Sequence, residues 1–453
     1  MQRFKEKELN NWFESSNRKP LIIWGARQVG KTYLLLNFFA KKFKEYIYID
    51  LIKDDESRNF FNITIDPKKY LEYIETRFGK KITNDCPLIF DEIQACINVI
   101  SSLKYFEQDY KNLPVIATGS LVRTSIKESN NKENFIFPVG KVDSMDVFPL
   151  TFEEYIYNVN EMLYKKIVSC FNNRKKMEEY EHALAFEYLY KYLSIGGMPE
   201  ALDVFIKTES YLDAVKVLDS IYNNYIGDMD QYNISNETVL KTRNVYRNIF
   251  SQLNKENKNF KITNIDKGKS NRDYLNAYEW LELARIVYRS NKLDEKISLP
   301  LIEKYNSGLF RLYLSDVGIF ASQSGINRSD FFVKDNRNKL AGIFYENYVA
   351  CEFVANGIEL FYWCGRNKNE FEFIVAKDGE IIPIDVKKGR GRLNSLDNFR
   401  EMNKNNLAIK ISSNNFGYDE NNKILTIPLY AAFMVAKWVK GFANINENVV
   451  HYK

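Results

Sequence analysis

Eight residues close to the start of the chain, GARQVGKT at positions 25–32, limit its possible folds more than any other feature. They directly follow an apolar run at 21–24, which is typical of a buried strand, and they directly precede a helical pattern over 33–43. Gly25 and Gly30 let the backbone turn tightly, so that successive N–H groups and the helix N-terminus face one point. This arrangement predicts a phosphate-binding loop at the end of a buried strand.

The side chains of this loop indicate which phosphate compound it binds. Lys31 is placed to reach the β- and γ-phosphates of ATP, and the Thr32 hydroxyl is placed to ligate the accompanying Mg²⁺. ATP and Mg²⁺ are therefore the predicted cofactors. The predicted nucleotide contacts are the eight loop residues Gly25, Ala26, Arg27, Gln28, Val29, Gly30, Lys31 and Thr32.

Two acidic residues follow a second apolar run, at 87–90, and supply what such a loop needs from a neighbouring strand. Asp91 is predicted to hold Mg²⁺ together with Thr32. Glu92 is predicted to orient and polarise the attacking water. Taken alone, two acids at a strand end could equally be a solvated terminus, but their occurrence with the loop favours the metal and water roles.

A further catalytic candidate follows the apolar run at 114–118. A polar side chain at this strand end can contact the γ-phosphate or the attacking water, which favours Ser120 over Thr118; an ordinary strand-to-loop cap is the alternative. The predicted catalytic residues are thus Glu92, Lys31 and Ser120.

Apolar runs alternate with helical patterns over the first 150 residues, which predicts parallel βαβ units in a covered α/β sheet. From Thr151 the pattern becomes helical, and Thr151 with Glu154 forms a capping-box signature. Helices over 239–253, 261–267 and 272–284, followed by strands at 286–289 and 297–301, outline a winged helix. A helix over 342–356 and strands at 360–363, 371–375, 381–386 and 407–411 indicate a second α/β domain.

Composition excludes several classes of protein. The chain has two histidines in 453 residues, which is too few to favour a histidine-based zinc site or Ser-His or Cys-His catalysis. Five cysteines without a Cys-x-x-Cys pair suggest a reducing compartment. No apolar run approaches the about 18 residues of a membrane span, so a cytoplasmic protein without membrane contact is expected.

The sequence resembles a widespread prokaryotic family of AAA-type P-loop ATPases whose C-terminal domain is similar to PD-(D/E)XK nucleases. The resemblance covers nearly the whole chain and implies ATP binding and hydrolysis, although the family's biological role is poorly defined. It is carried by GARQVGKT, FDEIQ at 90–94, ATGS at 117–120, FPLTFEEY at 148–155, GGMPEAL at 196–202, FRLYLSDVGIF at 310–320, YENYVACEF at 345–353 and IIPIDVKKG at 381–389.

The chain departs from this family at a position that could supply an arginine finger. Where the family tends to have Gly-Arg, this chain has Gly140-Lys141. Lysine lacks the bidentate fork of arginine, so a surface lysine is the favoured interpretation of Lys141. The Gly196–Pro199 stretch is interpreted as the end of one helix and the start of another, with nucleotide sensing as the alternative.

Positive charge is concentrated on the predicted winged helix. Residues 238–292 contain twelve Lys and Arg against five Asp and Glu, a local excess of +7 in a chain with a total charge of +5. Lys261, Lys267, Lys269 and Arg272 lie around the start of the third helix, the end that recognition helices present to DNA. DNA is therefore a candidate partner, and a protein-docking module is the alternative.

The nuclease resemblance implies a second candidate site. In such sites acids hold Mg²⁺ while a lysine positions water or stabilises charge on phosphorus. The corresponding residues here are Glu346 on a helix, Glu372, and Asp385 with Lys387 on the strand 381–386. The family usually has Asp in place of Glu372 and Glu in place of Asp385. We expect the four side chains to cluster within metal-sharing distance, but we expect no DNA cleavage.

These observations predict an α/β chain with four parts: a P-loop ATPase core at 1–150, a helical lid at 151–235, a winged helix at 236–305 and a nuclease-like domain at 306–453. The favoured function is an ATP-binding and ATP-hydrolysing switch or motor that acts on a macromolecular partner, with homo-oligomerisation as a further expectation. The alternatives are an ATP-regulated, Mg²⁺-dependent DNA endonuclease and a non-enzymatic signalling scaffold that nucleotide locks in one conformation.

Overall fold

The computed structural model describes residues 1–120, 137–230, 236–303, 305–326, 328, 340–365, 369–387 and 395–443. The chain divides into two compact units. The first comprises Met1–Phe148 with Leu283–Arg285, and the second comprises Pro149–Glu282 with Ile286–Lys453. In the described ranges, no helix is both long enough and apolar enough to cross a membrane. The predicted four-part division stays a prediction.

The first unit is built on a parallel sheet whose described strands follow the order β2-β3-β4-β1-β5. The strands are β1 Leu21–Trp24, β2 Ile47–Asp50, β3 Leu88–Asp91, β4 Val115–Thr118 and β5 Asp143–Asp146. The predicted α/β fold with a parallel sheet is thereby confirmed. β4 lies between β1 and β3. Because the three strands are parallel, their carboxyl ends lie at the same edge of the sheet.

One strand of this sheet, β5, was not predicted from the sequence. β5 has the sequence DSMD, in which Met145 alone is buried, so it shows none of the apolar content that marks the other strands. It is a strand because its backbone pairs with β1, with Leu21 opposite Asp143 and Trp24 opposite Asp146. Pairing of backbone groups at a sheet edge does not require apolar side chains.

Helices flank this sheet and cover it. They are α1 Lys5–Glu14, α2 Lys31–Tyr33, α3 Asp55–Phe61, α4 Pro67–Phe78 and α5 Ile97–Asp109. α2 continues as a π-helix over Leu34–Phe39, although an ordinary helix is predicted there. The core includes the fully buried rings of Phe61, Tyr70, Phe90 and Phe106, which pack as tilted and edge-to-face pairs.

The second unit begins with helices, as predicted. They are α6 Phe152–Val159, α7 Glu161–Asn172, α8 Glu179–Ile195, α9 Pro199–Thr208 and α10 Tyr211–Asp228. The capping box is present at the start of α6, where the Thr151 side chain and Glu154 each accept from the other's backbone N–H. The predicted helix boundary is confirmed at Gly196–Pro199, because α8 ends at Ile195 and α9 starts at Pro199.

The basic middle segment is partly helical and ends in a hairpin. Its helices are α11 Asn236–Arg247, α12 Ile249–Leu253 and α13 Leu275–Leu283. The predicted helix at 261–267 is wrong, since only Ile262–Asn264 forms a short 3₁₀ turn. β6 Val287–Leu293 pairs antiparallel with β7 Tyr305–Leu314.

The predicted second strand at 297–301 is therefore wrong as well. In its place the chain runs through a loop and a 3₁₀ turn at Leu301–Glu303. The strand that pairs with β6 lies further along, in the segment where rising apolar content predicted the next domain. The hairpin extends into a larger sheet of order β7-β6-β8-β9, with β8 Phe361–Cys364 and β9 Glu370–Phe371. The winged helix is thus not confirmed.

The C-terminal residues form a mixed sheet of order β10-β11-β12-β14-β13 in the described chain. Its strands are β10 Phe373–Lys377, β11 Glu380–Val386, β12 Ala408–Ser412, β13 Gly417–Asp419 and β14 Ile424–Pro428. β11, β12 and β14 are parallel, and β10 and β13 run antiparallel at the edges. The helices of this region are α14 Val317–Ser324, α15 Leu340–Ala355, α16 Ser395–Met402 and α17 Ala432–Val439. The resemblance of this region to nucleases is not confirmed.

Candidate functional site

The loop between β1 and α2 has the geometry of a phosphate cradle. Gly25 has φ +153°, and a Cβ there would lie 2.3 Å from the carbonyl oxygen of Val147. Gly30 has φ +93° and precedes α2 directly. Both glycines are thus required, one by close backbone approach and the other by its left-handed conformation. Among the intervening residues, Ala26 and Val29 are buried, Arg27 is half-buried and Gln28 is exposed.

Lys31 lies folded into this loop. Its Nζ donates to the carbonyl oxygens of Gly25, at 3.0 Å, and Ala26, at 2.7 Å. Burial lowers the pKa of Lys31 to about 8, an effect that the carboxylates of Glu92 and Asp91 only partly offset. A phosphate group in the cradle would supply the negative charge that the buried ammonium lacks.

Thr32 and Asp91 are in contact, although Thr32 lies in α2 and Asp91 lies at the end of β3. The Thr32 hydroxyl donates to Asp91 Oδ2 at 2.8 Å. The Tyr48 hydroxyl, from β2, donates to the same oxygen at 2.8 Å. Burial and the Asp91 carboxylate raise the pKa of Tyr48. Tyr48 thus fixes Asp91, a contact that the sequence analysis missed because a tyrosine in a strand carries no signal for such a partner.

Glu92 follows Asp91 in a left-handed conformation with φ +54°. Its backbone N–H donates to Asp91 Oδ1 at 2.9 Å, and the Gln94 side chain donates to Glu92 Oε2. A non-glycine residue held in this region of backbone space is strained, and such strain concentrates at functional positions.

The two candidates after β4 differ in their partners. The Thr118 hydroxyl donates to the carbonyl oxygen of Ile23, so it is directed at the neighbouring strand β1. The Ser120 hydroxyl is buried and has no hydrogen-bond partner among the described residues. Lys141 forms an ion pair with Glu107 at 2.8 Å, which is consistent with a surface lysine.

Arg3 is a further residue that the sequence did not indicate. Its guanidinium donates to the carbonyl oxygen of Val29, at 3.0 Å, and to that of Phe148, at 2.7 Å. It therefore braces the phosphate loop from behind. The surrounding charged N-terminal sequence contains no pattern that would distinguish this arginine from its neighbours.

The donor set fits a nucleotide with magnesium. A hydroxyl and a carboxylate oxygen lie in hydrogen-bond contact, and hard oxygen donors of this kind are what Mg²⁺ prefers. Beside them lie a buried ammonium and a cradle that admits no Cβ at Gly25. Thr32 and Asp91 are thus the residues that would hold the ion.

The second candidate site differs from its prediction because a lysine lies among the acids. Lys258 Nζ is 2.6 Å from Glu346 Oε2, 3.1 Å from Glu370 Oε1 and 3.5 Å from Glu372 Oε1. Burial alone would lower the pKa of Lys258, but these carboxylates outweigh it and the pKa is raised. Lys258 is therefore a charged ammonium shared by three carboxylates.

An arginine neutralises two of the same acids from another side. Arg311 Nη1 is 3.1 Å from Glu346 Oε1, and Nη2 is 2.6 Å from Glu370 Oε2. The Tyr313 hydroxyl also donates to Glu346 Oε1, at 2.6 Å. Burial would raise the pKa of Glu370, but Arg311 and Lys258 lower it to about 2. Both oxygens of Glu346 and of Glu370 thus already have cationic partners.

The strand acids lie beside this cluster. Lys387 Nζ is 3.0 Å from Asp385 Oδ1 and 4.0 Å from Glu372 Oε1. Glu372 Oε2 accepts from the backbone N–H of Val386 at 3.0 Å. Burial and the Glu372 carboxylate raise the pKa of Asp385 to about 7.

The four predicted side chains are thus brought together, but not around a shared metal position. Among the described residues, no group of three or more Asp, Glu, His or Cys side chains could hold a metal ion. The expectation of metal-sharing distance is therefore wrong, because Lys258 and Arg311 lie where the carboxylates converge. Neither residue carried a sequence signal: Lys258 lies in the Asn- and Lys-rich stretch NKENKNFK, and Arg311 alternates with apolar residues in a strand.

Comparison with family models identifies three regions of the chain. Residues 17–156 match the model of an AAA domain. Residues 186–330 match a domain of unknown function, DUF8612, and residues 341–430 match another, DUF4143. The first match covers the phosphate loop and the parallel sheet, and it supports an AAA-type P-loop domain in this part of the chain. The two other matches give no activity.

Individual relatives are distant. An uncharacterized Methanocaldococcus jannaschii protein, MJ1544, is 26% identical over 408 residues, which cover 86% of this chain and 79% of that protein. The Walker-type ATPase PABY2304 of Pyrococcus abyssi is 17% identical, with a TM-score of 0.42 over 71% of this chain and 95% of that one. The RuvB Holliday junction branch migration motor of Thermotoga maritima is 13% identical, with a TM-score of 0.28 over 64% of this chain and 90% of that one.

Proposed function

We propose that this chain binds ATP with Mg²⁺ and hydrolyses it, as a switch or motor that acts on a macromolecular partner. The observation that carries the proposal is the contact between the Thr32 hydroxyl and Asp91 Oδ2, at 2.8 Å, beside the buried Lys31. It joins the two residues that would hold the metal, which come from either side of β4, and both lie next to the glycine loop or its neighbouring strand.

Each residue would have a separate task in hydrolysis. Lys31 would exchange its loop carbonyl partners for the β- and γ-phosphate oxygens and stabilise the negative charge of the transferring group. Glu92 would orient the attacking water and accept its proton. When bound, Mg²⁺ supplies charge neutralisation at the phosphates. Ser120, whose buried hydroxyl has no hydrogen-bond partner within the described part of the chain, would contact the γ-phosphate.

Two variants test this division of tasks. Lys31→Ala removes the ammonium that would contact the phosphates, so nucleotide binding should be lost, as measured by titration calorimetry with ATP and Mg²⁺. Glu92→Gln removes the general base but leaves the phosphate contacts in place. Nucleotide binding should therefore persist, while the rate of phosphate release falls by roughly two orders of magnitude. Lys111→Ala, at an exposed position of the same unit, is the matched control and should change neither quantity.

The results separate the proposal from its alternatives. Equal loss of binding in both variants would contradict the role given to Glu92. Binding without any release of phosphate by the unaltered chain, with and without DNA, would instead support a nucleotide-locked scaffold.

DNA is the macromolecular partner that the charge distribution favours. Lys261, Lys267, Lys269 and Arg272 are all exposed, so they are available to phosphates. By contrast, the aromatic residues Tyr274, Tyr278 and Trp280 are buried and belong to the core. Contact would thus be made with the DNA backbone rather than by base stacking, and assembly into a homo-oligomer stays a prediction.

A further inference from the structure

The C-terminal cluster of carboxylates already contains a cation from the chain itself. Lys258 Nζ lies within 3.5 Å of an oxygen from each of Glu346, Glu370 and Glu372. A divalent ion in a protein takes carboxylate oxygens at about 2.0–2.6 Å, from the same kind of converging set. The ammonium therefore lies at the point where these oxygens converge.

The two residues that follow Lys258 are anchored to strands, so the ammonium is not a freely moving surface group. The backbone N–H of Phe260 donates to the carbonyl oxygen of Phe310, in β7, at 2.8 Å. The Tyr362 hydroxyl, in β8, donates to Asn259 Oδ1 at 2.5 Å. The Lys258 side chain itself is 16% exposed. Two strands of one sheet thus hold the segment that carries Lys258 against the cluster.

The remaining coordination capacity of the acids is also used. Arg311, whose guanidinium lies 4.2 Å from the centre of the Tyr362 ring, binds Glu346 and Glu370. One oxygen of Glu372 accepts from the Val386 backbone. Asp385 Oδ2 is the exception: it is buried and has no hydrogen-bond partner among the described residues. A single free oxygen does not make a site for a divalent ion.

We propose that Lys258 takes the place of the divalent cation, so that this cluster is a lysine-filled anchor rather than a metal-dependent phosphodiesterase centre. The residues present do not fit the Mg²⁺ that the nuclease resemblance implies. The anchor joins the segment after α12 to the helix α15, to the strand β9 and to Glu372, which lies between β9 and β10. Removing the ammonium leaves Glu346, Glu370 and Glu372 with one positive charge fewer among them, and a divalent ion can then bind where Lys258 Nζ was.

The test uses the full chain without nucleotide and Mn²⁺ as the probe, counted by electron paramagnetic resonance of the free ion. The unaltered chain should show no Mn²⁺ site that depends on Glu346. Lys258→Met, which keeps the aliphatic length but removes the charge, should gain such a site. Its thermal unfolding midpoint should fall without metal and recover with Mn²⁺, and adding Glu346→Gln should abolish both the site and the recovery.

Lys255→Met is the matched control, because Lys255 is exposed on the same segment, and it should gain no site. A Mn²⁺ site in the unaltered chain that Glu346→Gln removes would overturn the proposal, even if the Lys258→Met chain failed to fold. A Lys258→Met chain that folds but gains no Mn²⁺ site would overturn it as well. Mn²⁺-dependent cleavage of DNA by the unaltered chain that Asp385→Ala removes would do the same.

Discussion

At the scale of single residues, Lys31 should make nucleotide binding depend on pH. Its pKa is lowered to about 8 in the folded chain, with burial as the main cause. Below that pH the ammonium is already formed, and binding takes up no proton at this residue. Above it the free chain has lost the proton, and a bound phosphate draws it back. The affinity for ADP should therefore fall above about pH 8, by up to about tenfold per pH unit.

Calorimetry in two buffers of different ionisation enthalpy measures this directly. Proton uptake on ADP binding should be near zero at about pH 6.5 and should approach one proton at about pH 9. Lys31→Arg is the control, because arginine stays charged throughout this range and should remove the uptake. Equal uptake in both chains would show that a different group titrates.

At the scale of elements, the junction between α8 and α9 depends on two glycines for packing reasons. A Cβ on Gly196 would lie 2.3 Å from Asp316 Oδ1, and one on Gly197 would lie 1.8 Å from the carbonyl oxygen of Leu150. Gly197 also bonds to both of these neighbours: its N–H donates to Asp316 Oδ2 at 2.6 Å, and its carbonyl accepts from the Leu150 N–H at 2.7 Å. Close packing thus explains the glycines without nucleotide sensing.

Gly197→Ala should consequently destabilise the second unit by about 3 kcal/mol, because the obstructing atom is backbone and cannot rotate away. Chemical denaturation followed by circular dichroism measures the change. Gly227→Ala is the matched control: Gly227 lies in α10, no described atom outside the helix backbone lies within 4 Å of its Cβ position, and alanine there should be neutral or stabilising by up to about 1 kcal/mol. Similar losses in both variants would contradict the packing argument.

The elements also show which features a sequence can reveal. β1 and β3 are buried runs made largely of apolar residues, and the glycine loop follows β1, so pattern and motif predict these two strands and the loop between β1 and α2. β5 could not be predicted, because backbone pairing alone makes it a strand. The partner strand of β6 was predicted at 297–301 instead of at β7. The apolar residues of β7 are equally typical of the start of a separate domain. The ammonium of Lys258 meets its acids only through tertiary structure, about 90 or more residues away along the chain.

At the scale of the whole molecule, the distribution of charge leads to a prediction about DNA. The excess of +7 lies within 238–292, while the chain as a whole carries +5. Lys267, Lys269 and Arg272 are exposed there, and each phosphate contact releases bound counterions from DNA. If these three residues grip the backbone, affinity should fall steeply with salt. Changing all three to Gln should make the slope of log K against log salt shallower by about 3.

A second triple variant separates local contact from overall charge. Lys165, Lys207 and Lys216 are exposed and pair with acids on their own helices, so changing them to Gln removes the same net charge from a different surface. Fluorescence anisotropy with one labelled duplex over a series of salt concentrations should give an unchanged slope for this control. An equal change in both variants would mean that net charge alone attracts DNA. If the unaltered chain does not bind DNA even at low salt, a protein partner for the basic segment is favoured. The exposed lysines would then pair with acidic side chains of that protein.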